Sequence, residues 1–453
     1  MTGIVVPRRA AGALLVAAAA LPRVAAAQPQ GSAAEAWATS WAASVQGPYP
    51  VGNPSAQPDQ GVIFPSREAG ARDQSFRMIV RPTVWGRQAR LRFSNAFGAR
   101  PLTLDGVFVG LQLGGATVLT GTNQPVRFGG APTTTIAPGS DAWSDPVALP
   151  FATDPWRGAA RGRKLAVSFH VAGESGPMTW HAKALQTSYA TAPGAGAKGA
   201  EEGEAAFPQP TASWFFLDAV DMMMPGGTPV VVCFGDSITD GTASTMNGDD
   251  RWPDVFQRRL HAAIPNRAAV VNAGIGGNQV AGPAEYGPER PFPGGPAAVQ
   301  RLERDVIRLS GVSHFIWLEG INDFSRNGNA SIDTVTGGVR RGVAMLRERV
   351  PGIRIIGATV ITALGSTSPA HGFPEQDEKR RALNDFIRSG VFDAVVDFDA
   401  VIRDPATGGM RAEFVPESTT GGPGDKLHPN RAGYVAMANA IDPAAILPAL
   451  ARR

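Results

Sequence analysis

Hydrophobic and polar positions follow different patterns in the two halves of the chain. Between about residues 37 and 224, short apolar or alternating segments are separated by Gly, Pro, Asn and Asp, as in β-strands joined by turns. No helix-period segment of useful length interrupts them, so the pattern predicts an all-β domain of the sandwich or jelly-roll type. Residues 191–206, rich in Gly, Ala and Glu, predict a long surface loop. The predicted strands include residues 76–80, 89–93, 106–111, 165–171 and 213–220.

The pattern changes at Met224-Pro225-Gly226-Gly227. From residue 229 onward, short apolar segments alternate with amphipathic helical segments, which predicts a three-layer α/β domain with a parallel sheet covered on both faces. We therefore expect a β domain over residues 28–224 and an α/β domain over residues 225–453. The predicted strands are 230–234, 269–272, 313–318, 353–359 and 394–398, and the predicted helices are 252–264, 297–309, 334–350, 375–388 and 429–441.

The first 27 residues have the pattern of a secretory signal peptide. Arg8 and Arg9 precede an apolar Ala/Leu/Val segment, and Ala25-Ala26-Ala27 forms a small-residue cleavage site. We expect an exported protein, periplasmic or secreted, by either the general or the twin-arginine route. A retained N-terminal anchor is the alternative. No later segment has 18 consecutive apolar residues, so no stable membrane insertion of the mature chain is expected.

Composition narrows the class of protein further. The 453 residues exceed the roughly 250 to 300 at which a single core stops growing, which favours two domains. Lys and Arg total 42 against 39 Asp and Glu, a net charge of +3, and the basic residues are scattered, so nucleic acid is not an expected partner. The single cysteine, Cys233, excludes an intrachain disulfide and lies in an apolar strand pattern that predicts burial.

Unusual polar and glycine content follows three of the predicted parallel strands and precedes the last helix. Ligands bind at the carboxyl ends of parallel strands, so these loops are where chemistry is expected. Ser237 stands at a strand-to-helix turn, where its hydroxyl is presented above the sheet and its backbone N–H is unpaired. Taken alone, Ser237 is equally suited to cap a helix. Because Thr239 replaces the second glycine, the segment is not a G-x-S-x-G elbow.

The other three loops supply hydrogen-bond donors and a base. Clustered glycines in residues 272–278 let a backbone N–H approach a ligand, and the Asn322 amide can donate to a developing negative oxygen. Each of these segments alone is also an ordinary turn. Asp425 and His428, three residues apart, suit a carboxylate that orients an imidazole base, with Pro429 in the first turn of the last helix. A metal site would need further ligands, which the neighbouring residues do not offer.

Together, these four segments resemble the four characteristic blocks of the SGNH (GDSL) hydrolase family, over about residues 229–450. The resemblance implies that Ser237 is the nucleophile and a backbone oxyanion donor. It implies Asn322 as a side-chain donor, His428 as general base and then general acid, and Asp425 as its orienting partner. Neither a cofactor nor a metal is implied.

The second backbone donor implied by the resemblance is Gly277, although a slip of one residue would exchange it with Gly276. Ile238 stands where the family's name motif has Leu, a change between two apolar residues. The loop of residues 280–295 follows this glycine and either walls the acyl pocket or serves as a spacer. The remaining histidines show no catalytic spacing and are expected to be surface or satisfied residues: His170, His181, His261, His314 and His371.

Residues 76–110, with Leu-Arg-Phe-Ser leading into Asn-Ala-Phe-Gly, resemble the β-rich module that precedes SGNH domains in exported bacterial esterases. Exposed tryptophans in this half would suit stacking on sugar rings, but a buried core position is favoured for most of them. The tryptophans concerned are Trp37, Trp41, Trp85, Trp143, Trp156, Trp180 and Trp214.

We therefore expect an exported serine carboxylic-ester hydrolase, with short-acyl or carbohydrate acetyl esters as the leading candidate substrates. A lipase or lysophospholipase with the same site is the first alternative, because the sequence does not reveal the size of the pocket. A non-catalytic carbohydrate-binding protein is the second.

Overall fold

The computed structural model describes residues 34–152 and 160–446. The expected signal peptide, residues 1–27, and Trp156 lie outside the described residues. No described helix is long and apolar enough to cross a membrane.

The N-terminal half is built from antiparallel strands, as its pattern predicts. A short 3₁₀ turn, Glu204–Ala206, ends the predicted surface loop. The strands are β1 Glu35–Ala42, β2 Arg72–Val80, β3 Gln88–Ser94, β4 Leu102–Gly114, β5 Thr117–Val118, β6 Gln124–Pro125, β7 Thr134–Ile136, β8 Asp141–Trp143, β9 Val147–Ala148, β10 Leu165–Glu174, β11 Trp180–His181, β12 Ser188–Ala190, β13 Gln209–Thr211, β14 Trp214–Phe215 and β15 Leu217–Pro225.

These strands form three sheets. The largest has the order β13-β12-β2-β10-β4-β5, with β6 and β7 also paired to β4. A second has the order β1-β15-β3-β8, with β9 on β3, and β11 pairs with β14 alone. The predicted strand 213–220 is divided because Phe216 has a φ of +60°, a left-handed conformation that ends strand pairing. The prediction of a strand-rich half is confirmed, and its sheets are antiparallel. The sandwich or jelly-roll arrangement stays a prediction.

The C-terminal half contains a five-stranded parallel sheet of order β17-β16-β18-β19-β20. Its strands are β16 Val230–Gly235, β17 Ala269–Gly274, β18 Val312–Leu318, β19 Arg354–Ala358 and β20 Ala394–Val396. The helices are α1 Ser237–Asp240, α2 Trp252–Ala263, α3 Ala298–Leu302, α4 Ile332–Arg349, α5 Pro374–Phe386, α6 Phe398–Ile402, α7 Arg431–Ala440 and α8 Pro443–Ile446. A 3₁₀ turn spans Ala412–Phe414.

The order of this sheet places its topological switch at β16. The next two strands along the chain, β17 and β18, pair with β16 on its two sides, which opens a crevice at its carboxyl end. Helices α2 and α6 contact α7, whereas α3 and α5 contact α4, so the helices form two groups. All five predicted strands and all five predicted long helices are present, with shifted ends.

Two of the predicted elements differ from the observed ones for local structural reasons. The predicted helix 297–309 is α3 followed by a π-helical turn, Glu303–Ile307. The predicted strand 394–398 stops at Val396 because the Asp397 side chain accepts a hydrogen bond from the Ala400 N–H and begins α6.

The two halves of the chain share one buried apolar cluster, which runs from Ala38 to Ile441. Hydrogen bonds also join them: the Thr39 N–H donates to Ser310 O (3.0 Å), and the Trp85 N–H donates to Asn266 Oδ1 (2.7 Å). The last antiparallel strand ends at Pro225 and the first parallel strand begins at Val230. The domain limits predicted from the sequence stay a prediction.

The tryptophans of the N-terminal half lie mainly in its core. Trp37 and Trp143 are half-buried, and the Arg90 guanidinium lies over both rings. These positions favour a packing role over sugar stacking. The buried members are Trp41, Trp85, Trp180 and Trp214.

Candidate active site

Ser237 lies where β16 ends and α1 begins. Gly235 allows the close approach of β18, since a Cβ there would lie 2.6 Å from Leu318 O. The Asp236 side chain caps α1 by accepting a hydrogen bond from the Ile238 N–H (2.9 Å). Ser237 is therefore the first helical residue, and its own backbone N–H has no acceptor within the helix. The hydroxyl stands at the carboxyl edge of the parallel sheet.

The structure brings Ser237, His428 and Asp425 into one hydrogen-bonded row. His428 Nε2 lies 2.8 Å from Ser237 Oγ, and His428 Nδ1 lies 2.6 Å from Asp425 Oδ2. Burial opposes ionisation of Asp425, but the hydrogen bonds and charge of His428 outweigh it and hold the pKa of that carboxyl well below its usual range. An ionised carboxylate therefore faces the imidazole.

The helix that follows His428 begins at Arg431, two residues later than the sequence predicts. Asn430, not Pro429, sets its start: the Asn430 side chain accepts hydrogen bonds from the N–H groups of Ala432 (2.9 Å) and Gly433 (3.1 Å). The expected place of Pro429 in the first turn is therefore wrong, because Asn is the stronger N-cap and Pro429 precedes it.

Hydrogen bonding distinguishes the two candidate glycines. The Gly276 N–H donates to Asp240 Oδ2 (2.9 Å), so it is already engaged. Within the described residues, the Gly277 N–H has no protein acceptor. Gly277 has a φ of +87°, and a Cβ there would lie 2.6 Å from Asn53 Nδ2. Both features require glycine at this position.

Asn322 lies beside the same loop. Its side-chain Nδ2 donates to Asn278 O (3.0 Å), which leaves the second N–H of the amide for another acceptor. Asn322 is only 8% exposed. The structure thus places this amide, which lies on the loop after β18, against Asn278, the residue that follows Gly277.

Arg301 is a buried residue that no sequence motif indicates. Its guanidinium donates to Gly235 O (2.9 Å), to Ala273 O (2.8 Å) and to Asn278 Oδ1 (2.8 Å). It also lies 3.2 Å from the buried carboxyl group of Glu319. One cation thus ties the strand that leads to the nucleophile to the glycine-rich loop.

Three buried carboxyl groups below the site have elevated pKa values. Burial raises the pKa of Asp236 to about 7 and that of Asp323 to about 6, and it raises the pKa of Glu319 well above its usual value. Asp323 accepts the N–H groups of Val280 (2.8 Å) and Ala281 (3.2 Å). Asp425 differs from all three because its pKa is lowered. The local environment therefore favours the neutral form of the three buried carboxyl groups and the ionised form of Asp425.

The N-terminal half contributes two polar side chains to the site. Asn53 Nδ2 donates to Gly276 O (2.6 Å), and Lys183 Nζ donates to the hydroxyl of Thr242. Burial lowers the pKa of Lys183, against the opposing charge of Asp240. Neither residue carries a motif in the sequence, because each reaches the site from another part of the fold.

His181 is buried and satisfied, as the sequence analysis expects of the histidines outside the four blocks. Its Nδ1 lies 2.7 Å from Ser44 O and its Nε2 lies 3.1 Å from Asp240 Oδ1. Burial lowers its pKa, but the charge and hydrogen bond of Asp240 outweigh burial and leave the pKa raised. In the described part of the chain, Ser237 Oγ is hydrogen-bonded to His428 and to none of these histidines.

The loop of residues 280–295 lies between the glycine-rich loop and the N-terminal half. A Cβ on Gly277 would lie 3.4 Å from Gly294 Cα, and the Tyr286 hydroxyl donates to Gly47 O (2.6 Å). This loop therefore walls the glycine side of the site. Over residues 34–152 and 160–446, no group of three or more His, Cys, Asp and Glu side chains is arranged to hold a metal ion.

Comparison with protein families gives one match, and comparison with solved structures gives many. Residues 233–436 match the GDSL-like Lipase/Acylhydrolase family. A carbohydrate acetylesterase from Sinorhizobium meliloti aligns at 17% identity and a TM-score of 0.35, covering 49% of this chain and 99% of that one. The native aryl esterase of M. smegmatis aligns at 17% identity and a TM-score of 0.36, covering 47% and 95%. Comparison with curated protein sequences gives no significant match.

The family match spans the nucleophile loop, the glycine-rich loop, the Asn322 loop and the Asp425–His428 pair. The predicted family is thereby confirmed. The chain carries a GDSL-like lipase/acylhydrolase domain over residues 233–436 and is a serine ester hydrolase.

Proposed function

We propose that this protein is an exported carboxylic-ester hydrolase that works by acyl transfer through Ser237, His428 and Asp425. The observation that carries the proposal is the continuous row from Ser237 Oγ to His428 (2.8 Å) and from His428 to Asp425 (2.6 Å). A serine hydroxyl becomes a nucleophile when a base within hydrogen-bond distance accepts its proton and a third group orients that base.

In the first step, Ser237 Oγ attacks the ester carbonyl carbon while His428 Nε2 takes the hydroxyl proton. The carbonyl oxygen becomes negative and accepts hydrogen bonds from the Ser237 N–H, the Gly277 N–H and the Asn322 side chain. The tetrahedral intermediate then expels the alcohol, which receives the proton from His428. The acyl group remains on Ser237 as an ester.

In the second step, His428 takes a proton from a water molecule, and the hydroxide equivalent attacks the acyl carbon. The same three donors hold the negative oxygen. Collapse of the intermediate returns the proton to Ser237 Oγ and releases the carboxylic acid. Asp425, which stays ionised, stabilises the imidazolium in both steps.

For the substrate, we favour short acyl groups, including acetyl groups on carbohydrate. Polar side chains of the N-terminal half approach the glycine-rich loop: Asn53 bonds Gly276 O, and Lys183 Nζ lies 3.0 Å from where a Gly276 Cβ would be. A polar, closely packed wall suits a short acyl chain better than a long aliphatic one. A lipase-like preference for long chains is the alternative.

Export is proposed from the sequence of residues 1–27 alone. Cell fractionation followed by N-terminal sequencing of the purified protein tests it. Full-length chain, still beginning at Met1 in the cytoplasmic fraction, would contradict export.

Activity is tested with p-nitrophenyl acetate, butyrate and decanoate, using the wild type, Ser237→Ala and Ser389→Ala. Ser389 is a matched control because its exposed hydroxyl donates to Phe386 O at the end of α5 (2.7 Å), far from Ser237 in the sequence. We expect loss of turnover in Ser237→Ala alone and the fastest hydrolysis with acetate.

Rates that rise steadily to decanoate would favour the lipase alternative. Hydrolysis by Ser237→Ala at the wild-type rate would contradict the proposed nucleophile. Equal binding of a glycan by the wild type and Ser237→Ala, with no hydrolysis by either, would favour the carbohydrate-binding alternative.

A further inference from the structure

We propose that Asn53, which belongs to the N-terminal half, is a positioning residue of the oxyanion hole. It holds the peptide between Gly276 and Gly277 so that the Gly277 N–H is directed at the reacting carbonyl oxygen. This inference rests on the proposed function, because it assigns a role in the acyl transfer at Ser237.

The geometry of one peptide unit carries the inference. The Gly276 C=O and the Gly277 N–H belong to the same planar trans peptide, so they point in opposite directions. Asn53 Nδ2 donates to that C=O at 2.6 Å. With the carbonyl end anchored on one side, the N–H end is directed to the other side, where within the described residues it has no protein acceptor.

The preceding peptide is anchored by Asp240 of α1, which contacts the N-terminal half in turn. The Gly276 N–H donates to Asp240 Oδ2 (2.9 Å), and Asp240 Oδ1 lies 3.1 Å from His181 Nε2. His181 is fixed in turn by Ser44 O, 2.7 Å from its Nδ1. Both polar groups of Gly276 are therefore held: the C=O by Asn53, and the N–H by Asp240, which His181 contacts.

Anchoring is needed because this loop is rich in glycine. Gly274, Gly276 and Gly277 lie within four positions, and glycine has access to more backbone conformations than any other residue. A donor stabilises an oxyanion efficiently only if its direction is fixed before the charge develops, since reorientation during the reaction costs free energy. Within the described residues, the hydrogen bond to the Gly276 C=O comes from Asn53 and not from the enzyme domain.

The test compares Asn53→Ala with Gln57→Ala in the full-length protein. Gln57 lies in the same loop and is also half-buried. Its side-chain hydrogen bonds stay within the N-terminal half: it donates to Thr211 Oγ1 (3.0 Å) and accepts from the Ala212 N–H (2.6 Å). We measure kcat, KM and melting temperature, and the rate at which a fluorophosphonate modifies Ser237.

Asn53→Ala is expected to lower kcat by about tenfold, less than the roughly 10²- to 10³-fold loss of a whole donor. KM and melting temperature should stay near the wild-type values, and fluorophosphonate modification should slow in proportion to kcat. Asn53→Asp should lose more, because a carboxylate facing Gly276 O repels that carbonyl and turns the peptide. Gln57→Ala should match the wild type in all these measurements.

Two results would overturn the role of Asn53 while leaving the proposed function intact. One is wild-type kcat in Asn53→Ala. The other is a raised KM with unchanged kcat, which would make Asn53 a substrate contact. If Ser237→Ala is as active as the wild type, or if the wild type neither hydrolyses esters nor reacts with the fluorophosphonate, the proposed function fails and the role of Asn53 fails with it.

Discussion

The Asp425 carboxylate is hydrogen-bonded to both the imidazole ring and the backbone N–H of His428. Asp425 Oδ2 lies 2.6 Å from the imidazole Nδ1, and Asp425 Oδ1 accepts the backbone N–H of His428 at 2.8 Å. The ring and its backbone are thus fixed by one carboxylate. Nε2 is therefore the nitrogen left to face Ser237 Oγ.

Asp425→Asn should therefore lower kcat by roughly 10³- to 10⁴-fold, because an amide can present its N–H to Nδ1 and favour the wrong tautomer. Asp404→Asn is the control. The Asp404 side chain, like that of Asp425, accepts a nearby backbone N–H (Ala406, 2.8 Å), but Asp404 lies in the turn after α6. Steady-state kinetics on p-nitrophenyl acetate measure both. A loss of less than about tenfold in Asp425→Asn would exclude Asp425 as the orienting residue.

Asn322→Ala should lower kcat by about 10²- to 10³-fold with little change in KM, because the amide acts on the negative oxygen of the transition state. Asn384→Ala removes a buried amide that bonds Val360 O (2.9 Å) instead. This control should lower the melting temperature without a comparable loss of kcat. Equal kinetic losses in the two variants would mean that Asn322 acts through stability alone.

Gly277→Ala should be much more damaging than Gly276→Ala. At Gly277 an added Cβ would lie 2.6 Å from Asn53 Nδ2, and the φ of +87° is unfavourable for any residue with a side chain. At Gly276 an added Cβ would lie 3.0 Å from Nζ of Lys183, which is the end of a flexible side chain. We expect losses in kcat of about 10²-fold and less than about tenfold, respectively. The reverse order would show that the donor is Gly276 and that the family alignment is shifted by one residue.

Stability should fall with rising pH because of Asp236. Burial raises its pKa from 3.8 to about 7, so between these values the folded protein holds a proton that the unfolded chain has released. Relative to Asp236→Asn, the wild type should lose on the order of a few kcal/mol of unfolding free energy between about pH 4 and pH 7. Urea denaturation followed by fluorescence at several pH values measures the difference.

Asp397→Asn provides a control of opposite sign for the same experiment. Burial raises the pKa of Asp397, but the hydrogen bonds from Thr359 and Ala400 and the charge of Arg388 outweigh it and leave the pKa lowered. The stability that Asp397 contributes is therefore present above its unfolded pKa and is lost as the pH falls. Parallel pH curves for the wild type and Asp236→Asn would contradict the assigned role of Asp236.

The sequence predicts those parts of the site that depend on neighbouring residues. Asp425 and His428 are three positions apart, and Ser237 directly follows its strand, so local spacing is sufficient to identify them. Asn53 and Gly276 are 223 positions apart, and no local pattern indicates their contact. The buried Arg301 is missed for the same reason, since its amphipathic segment resembles any other helix.

For secondary structure too, the sequence predicts what depends on neighbouring residues and misses what depends on the rest of the fold. The parallel strands are predicted because apolar runs between helices suffice to mark them, whereas the break at Phe216 depends on a left-handed backbone conformation at an aromatic residue. The limits of the last helix were misplaced because Pro429 and Asn430 are both favourable starts and only the hydrogen bonds of Asn430 decide between them.

The position of Arg301 has a consequence for the order in which the protein matures. Its guanidinium reaches Ser44 Oγ at 3.2 Å, across 257 positions of the chain, as well as Gly235 O and Asn278 Oδ1. During synthesis Ser44 emerges long before Arg301, so this junction closes only after most of the polypeptide has been made. Until then the nascent chain holds the nucleophile and the glycine-rich loop without the cation that joins them. Hydrolytic competence should therefore be acquired late in biogenesis.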